Sequence, residues 1–363
     1  MVDLKAHLTR LSEAHGPSGY EDPIRAILLE DWSGLADELT TDALGNLIGA
    51  KWGTGRNDSR RTVMLAAHMD EIGMLVRGID GSFVRVRSIG GIDGRVMLGQ
   101  PVVVHGRERL EGVVAAMPPH MLPPEKRDEY PRVDDLLVDL GVDAETVARA
   151  VRVGDPVTLN VPVVELQGNR LAGKAMDNRA CVAAITVCLQ ELQNRKHHWD
   201  VMAVATVQEE VGTRGARVAA HQLKPDLAIA LDVTFALQPG VGESDGGHKL
   251  GGGPAISIGP NFHPGLVEQL KEAAKRLEMT VNIDPIPGRS GTDAWPIQVA
   301  REGIPTALIN VPLRNMHTPV ETVDLGDVRR AGRLLAEFIA GLDEGFLTTI
   351  AWKNPLAQEG EGE

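Results

Sequence analysis

Seven residues suited to metal and proton chemistry follow short apolar runs or stand at a helix start: His68, Asp70, Asp177, Glu209, Glu210, Asp232 and His317. His68-Met-Asp70 follows the run Thr62 to Ala67, and alternate residues of an extended chain project the same way. That pattern suits an imidazole ligand and the carboxylate that orients it. Glu209 and Glu210 follow the run Val201 to Val207. As neighbours they point to opposite sides, so one can bind a cation while the other handles protons. Asp232 ends the run Leu227 to Leu231, Asp177 precedes a helical pattern, and His317 lies six residues beyond Val311. Singly, each has a plainer explanation: a capped turn, a solvated acidic turn, a helix N-cap or a surface-loop histidine. Together, five carboxylates and two imidazoles are the donor set of two divalent ions sharing a carboxylate. Such a pair polarises a carbonyl and acidifies water while a free carboxylate shuttles the proton, so the reaction class is metal-assisted hydrolysis.

Other patterns are set aside. Gly168 to Lys174 has the glycine and lysine spacing of a phosphate-binding loop, but Ala175 stands where a magnesium-binding hydroxyl is needed. Gly16-Pro-Ser18-Gly19 lacks the spacing of a nucleophile elbow, and Gly251 to Pro254 that of a dinucleotide loop. There is no His-Glu-x-x-His and no Cys-x-x-Cys.

Positioning such groups requires a sheet whose strands end at the site. The four apolar runs Thr62 to Ala67, Val201 to Val207, Leu227 to Leu231 and Pro305 to Val311 read as strands buried on both faces. Helical patterns at Asp3 to His15, Pro23 to Trp32, Asn178 to Arg195, Pro264 to Leu277 and Asp327 to Leu342 flank them, which predicts an α/β fold, a sheet covered by helices. From Gly73 to Gln167 the pattern changes to short Val-rich runs broken by Gly, Asp and Pro, an inserted small β domain. Its five-proline stretch Met117 to Asp135 reads as a mobile excursion. The predicted domains are 1–72 with 168–350 for catalysis, 73–167 as the insertion, and a disordered tail at 351–363. A length of 363 residues agrees with more than one core.

Composition narrows the partners. Lys plus Arg number 37 against 50 Asp plus Glu, a formal charge of -13, which disfavours nucleic acid. Cys181 and Cys188 fall seven apart on one predicted helix, about 10 Å between Cα atoms and too far to pair. No leader and no apolar run of about 18 residues occurs, so a cytoplasmic protein without membrane contact is expected.

The motifs His68-Met-Asp70-Glu71-Ile-Gly73, Ala175-Met-Asp177-Asn178-Arg179, Gln208-Glu-Glu210-Val-Gly212, Leu231-Asp232-Val233 and Met316-His317-Thr-Pro319 resemble, in order and spacing, those of the tetrahedral (TET) dinuclear metallo-aminopeptidases. That family includes glutamyl and deblocking aminopeptidases and members once labelled endoglucanases. The resemblance runs from Gly16 to about Leu342. It implies a zinc-peptidase-like catalytic domain in which Asp177 bridges two metals, His68 and Asp232 complete one site, and Glu210 and His317 complete the other. It further implies that Glu209 is the general base and acid and that Asp70 orients His68. Ser290-Gly291-Thr292-Asp293 is similar to the family's Gly-Gly-Thr-Asp loop beside the substrate, with Ser in place of the first Gly.

The expected activity is removal of amino-terminal residues from short peptides, with zinc as the expected metal and cobalt or manganese also suited to a carboxylate-rich site. A related dimetal carboxypeptidase or N-acyl-amino-acid deacylase is the alternative. A glycanase is disfavoured, since glycoside hydrolysis needs two carboxylates and no metal set. The resemblance also implies that the inserted domain builds dimers and a hollow tetrahedral dodecamer.

Overall fold

The computed structural model describes residues 3–55, 60–124 and 129–352. The large sheet has eleven strands. It begins with the hairpin β1 (Glu38–Thr41) and β2 (Leu47–Lys51), followed in the chain by the interior strand β3 (Thr62–His68). The chain then leaves to build β4 (Gly73–Asp80), β5 (Phe83–Ile89), β6 (Pro101–His105), β7 (Arg109–Ala115), β8 (Leu137–Asp139) and β9 (Pro156–Leu159). These six close into an antiparallel barrel in the order β4-β5-β8-β7-β6-β9. The chain returns with β10 (Val164–Leu166), β11 (Arg170–Gly173), β12 (Asp200–Thr206), β13 (Leu227–Phe235), β14 (Ala255–Ile258), β15 (Asn282–Pro285), β16 (Thr306–Arg314) and β17 (Glu321–Asp324). The path of the large sheet is β1-β2-β12-β3-β13-β16-β17-β11-β10, with β14 and β15 added at β16. The fold is therefore a mixed sheet flanked by helices with an inserted barrel, the class expected from the sequence. Val164 to Leu166, assigned to the insertion on sequence, pairs with β11 in the large sheet, because three exposed residues carry no signal of which sheet they join.

The four predicted apolar strands are the parallel centre, β12, β3, β13 and β16. Their burial on both faces has a direct cause. Val63, Leu65 and Ala67 of β3 join the core under the helices Leu4–Glu13, Met176–Leu192 and Leu325–Ala340. Met64 and Ala66 pack on the opposite face against Ala216, Ala219 and Ala220 of the helix Arg214–Leu223. The helix Met176–Leu192 is apolar nearly all round and buried accordingly. The barrel has its own core around Val84, Val102, Val138 and Val157. Part of the stretch expected to be mobile contributes to that core, since Val133 is buried in it. Residues 125–128 of that stretch, and the predicted disordered tail from residue 353 onward, lie outside the described residues.

Candidate dinuclear metal site

The parallel strands deliver the site at their carboxyl ends. The β3–β13 ladder stops at Ala66↔Ala230, two residues short of His68 and Asp232. Strands that splay at this level leave room between those side chains. The 17-residue helical segment from Met176 has non-helical backbone at Asp177 and Asn178, so the Asp177 side chain caps nothing. Its two oxygens face different partners. Oδ1 lies 3.2 Å from His68 Nε2, and Oδ2 lies 3.4 Å from His317 Nε2. Asp232 Oδ1 is 4.0 Å from His68 Nε2, and Glu210 Oε1 is 3.5 Å from His317 Nε2. Two donor groups result, His68–Asp177–Asp232 and Asp177–Glu210–His317, each with ligand atoms within 4.8 Å of one another. Glu209, adjacent in sequence to Glu210, turns its Oε2 to 4.0 Å from His68 Nε2.

Asp70 does more than accompany His68. Its Oδ1 lies 3.5 Å from His68 Nδ1, and its two oxygens accept the backbone N–H groups of Glu209 at 3.0 Å and Glu210 at 3.2 Å. The Ser18 hydroxyl donates to it at 2.6 Å. One fully buried carboxylate thus ties the end of β3 to the turn after β12. Sequence reasoning passed over Ser18, having tested its loop only as a nucleophile elbow.

Three further residues were missed. Glu321, 2 % exposed, accepts the backbone N–H of Asp177 on Oε2 at 2.9 Å and that of His317 on Oε1 at 2.7 Å. This clamp holds His317 at φ +59, a left-handed conformation that needs compensation in a non-glycine residue. Glu71 pairs with Lys174 at 2.8 Å and Arg179 at 3.2 Å, all three buried, and locks the start of the Asp177 segment to the end of β3. The phosphate-loop-like lysine is therefore a core ion-pair partner. Gly91, in the barrel, accepts from His317 Nδ1 through its carbonyl at 2.9 Å. Nε2 is left facing Asp177 and Glu210. A glycine pair in a loop is the only sequence trace of this contact.

The electrostatics call for a cation. Burial, reinforced by Asp232 and Asp293, pushes Glu209 up to about 10, and burial with Asp177 raises Glu210 to about 7. Asp232 is driven well above the carboxylate range by burial, with Asp177 adding to it. Burial works against ionised Asp177 as well, but the close approach of the His317 and His68 imidazoles holds it well below that range. His317 rises to about 9 beside Asp177. Asp177 Oδ1 is buried without a hydrogen-bond partner. Nitrogen and oxygen donors in two triads around a shared carboxylate fit divalent cations of the zinc, manganese or cobalt type.

These groups line a cleft of about 580 Å³, whose wall includes Ser290, Gly291 and Thr292. The Ser290 hydroxyl bonds Asn261 Oδ1 at 2.6 Å and Thr292 Oγ1 at 2.9 Å. Asp293, the last residue of that predicted loop, is buried beneath it and accepts from the Thr206 hydroxyl. A larger hollow of about 930 Å³ opens beside Pro305 and Thr306, at the start of β16, and contains none of the predicted residues.

Comparison with known proteins agrees with this geometry. The M42 glutamyl aminopeptidase family model matches residues 45–334. The lysyl aminopeptidase of Pyrococcus furiosus is 37% identical over 339 residues, covering 90% of this chain and 94% of its own. The solved aminopeptidase APDkam598 of Desulfurococcus kamchatkensis superposes with a TM-score of 0.88 at 36% identity, over 96% of this chain and 99% of that one. Pyrococcus horikoshii TET1 peptidase, described as able to assemble into a tetrahedron or a large octahedral shell, does so with a TM-score of 0.82 at 30% identity, over 94% and 100%. The family found is the one the five sequence motifs resemble. Matched over most of its length in sequence and in fold, the chain belongs to the M42 glutamyl aminopeptidase family, metal-dependent hydrolases of peptide bonds.

Proposed function

We propose that this chain removes amino-terminal residues one at a time from short peptides, with two divalent ions and Glu209 as the general base. The observation that carries the proposal is the placement of Asp177, whose two oxygens face separate donor groups. His68 and Asp232 would hold one ion, Glu210 and His317 the other, and Asp177 both. Zinc is the proposed metal, with cobalt or manganese as substitutes. Bound there, the ions would polarise the scissile carbonyl and acidify a water molecule. The chain's own part follows from its geometry. Glu209, close to His68 and outside both triads, takes the proton from the attacking water on its carboxylate and returns it to the departing amine. Positive charge in the site lowers its affinity for protons from the high value set by burial, which readies it as a base. Asp70 keeps the His68 ring and the Glu209–Glu210 turn in register.

Self-association belongs to the same proposal. Val113, Met117, Met121, Tyr130 and Val153 leave apolar side chains exposed on the inserted domain, surface of the kind that marks interfaces. We assign that domain, 73–167 on the sequence reading, to dimers and a tetrahedral dodecamer, for which light scattering is the assay. No helix among the described residues is long and apolar enough to cross a membrane. The two buried free thiols, Cys181 and Cys188, suit a cytoplasmic setting.

The deciding experiment restores zinc, cobalt or manganese to the apoprotein and follows peptide ladders by mass. Shortening from the amino end is expected. Shortening from the carboxyl end, or deacylation alone, would establish the rival dimetal hydrolases instead. Glu209→Gln should keep the metals yet lose roughly a hundred- to ten-thousandfold in turnover. Turnover like that of the wild type in the metal-replete variant would move the base elsewhere.

A further inference from the structure

The cleft continues past the metal-binding side chains, and its far end presents hydrogen-bond acceptors. Asp232 and Asn310 are paired across β13 and β16. Beyond them β14 meets β16, and β14 pairs Ser257 with Asp284 of β15. Asp232, Asn310 and Asp284 all line the cleft. The Asn310 amide is oriented by its partners, because its Nδ2 donates to Ser257 Oγ at 2.8 Å and to Asp284 Oδ2 at 3.0 Å. A carboxylate can only accept from it. Asn310 Oδ1 is then left without a partner in a residue only 1 % exposed. Asp284 is likewise buried, at 8 %. Its other neighbour, His248 Nε2, stands 3.8 Å from Oδ1 without a hydrogen bond. Arg289, also on the cleft wall, forms no ion pair with Asp284; it is exposed and stacks over Trp295.

A buried amide oxygen without a donor, beside a carboxylate whose hydrogen bond among the described residues comes from Asn310 alone, favours a ligand that brings donors. The approach is lined by Ile286 and Leu308, apolar walls suited to a methylene stem. Asn310 lies one strand spacing, about 4.8 Å, from Asp232, and the Asp284 carboxylate is one hydrogen bond farther. Four methylenes with an ammonium, or three with a guanidinium, cover that span. A glutamyl side chain would place a carboxylate against a carboxylate, and an apolar one would leave the acceptors dry and unpaired.

We infer that Asp284 and Asn310 form the end of the pocket for the substrate's first side chain and select a basic residue, lysine or arginine. This inference rests on the aminopeptidase reading above. The preference should be on the order of tenfold or more, the usual scale for a charge-assisted bond present in one substrate and missing in its isostere.

The test uses the full-length, metal-loaded protein and p-nitroanilides of lysine, arginine, norleucine and glutamate, with wild type and Asp284→Asn compared by kcat/KM. Norleucine matches the lysine stem without its nitrogen. Wild type should prefer lysine and arginine by tenfold or more, and the lysine-to-norleucine ratio should collapse toward one in Asp284→Asn. Calorimetric titration of the wild type with free L-lysine and L-norleucine tests the pocket independently of turnover and of any variant, and should show tighter binding of lysine. A wild-type preference for norleucine or glutamate overturns the inference. So does a lysine preference that survives in an Asp284→Asn protein whose melting curve matches the wild type. Failure to cleave any aminoacyl substrate would remove the aminopeptidase reading instead, and the titration would still decide what the pocket binds.

Discussion

Replacing Gly91 with alanine separates the two proposed metal sites by a change made in the barrel. The added Cβ would lie 3.0 Å from His317 Nδ1 and 3.4 Å from Cε1. The first distance is inside ordinary van der Waals contact, so the ring or the loop must retreat by several tenths of an ångström. That movement lengthens the 2.9 Å bond from Nδ1 to the Gly91 carbonyl. Metal–ligand distances tolerate only about 0.2 Å, and losing the outer hydrogen bond of a ligating histidine typically costs about ten- to a hundredfold in metal affinity. Gly91→Ala should therefore weaken one of two ions by that factor. The other, held by His68 and Asp232, keeps its wild-type affinity. Gly78→Ala, also in the barrel but with nothing within 4 Å of the new atom, is the control and should behave as wild type. Elemental analysis after dialysis against graded metal buffers measures both constants. Two ions of unchanged affinity in Gly91→Ala would refute the reasoning and leave the barrel without a part in the site.

Asp177→Ala should impair binding of both ions and His317→Ala mainly one, by the same elemental analysis; equal loss in the two variants would contradict the shared role of Asp177. Glu71→Gln keeps the shape of the buried cluster but leaves Lys174 and Arg179 without a counter-charge, and urea unfolding should show a loss of about 3–5 kcal/mol. Lys174 is already pushed down to about 8 by burial, with Glu71 opposing. Without the Glu71 charge the variant's native state should shed this proton at lower pH than the wild type does, so its deficit should shrink as pH rises to about 8 and stay constant above it. His15, held at about 4 by burial and by Lys174, bonds Thr158, which also contacts His105 of the barrel. Its folded value lies below the unfolded one, so the stability it contributes is complete above pH 6.5 and lost as pH falls through about 4. After discounting for partial exposure, the loss is about 1–2 kcal/mol. Urea midpoints at pH 7 and pH 4.5 should differ by less in His15→Gln.

Sequence reveals a residue's chemistry best where burial leaves it no ordinary choice. The four central strands were legible because an apolar run buried on both faces cannot be an exposed loop, and polar residues at their ends stand out against it. Thus His68, Asp70, Glu209, Glu210 and Asp232 could be named before their neighbours were known. The edge strands Glu38–Thr41 and Val164–Leu166, largely exposed, carry no such contrast and were missed. So were Glu71 and Glu321, for the opposite reason. A buried glutamate reads in sequence like a solvated one, and only the arrival of Lys174 and Arg179 for the first, or the Asp177 and His317 backbones for the second, distinguishes it. Those partners come from β11, the Asp177 segment and the loop before β17, contacts that only the closed sheet creates. The same limit applies to Gly91, whose carbonyl reaches 226 residues along the chain to His317. Sequence marked the barrel as a unit of its own because its short Val-rich runs break the pattern of the large sheet. It could not show that one loop of that barrel returns to His317, one of the proposed metal ligands, so a displaced barrel must disturb that side chain even though the two cores are distinct.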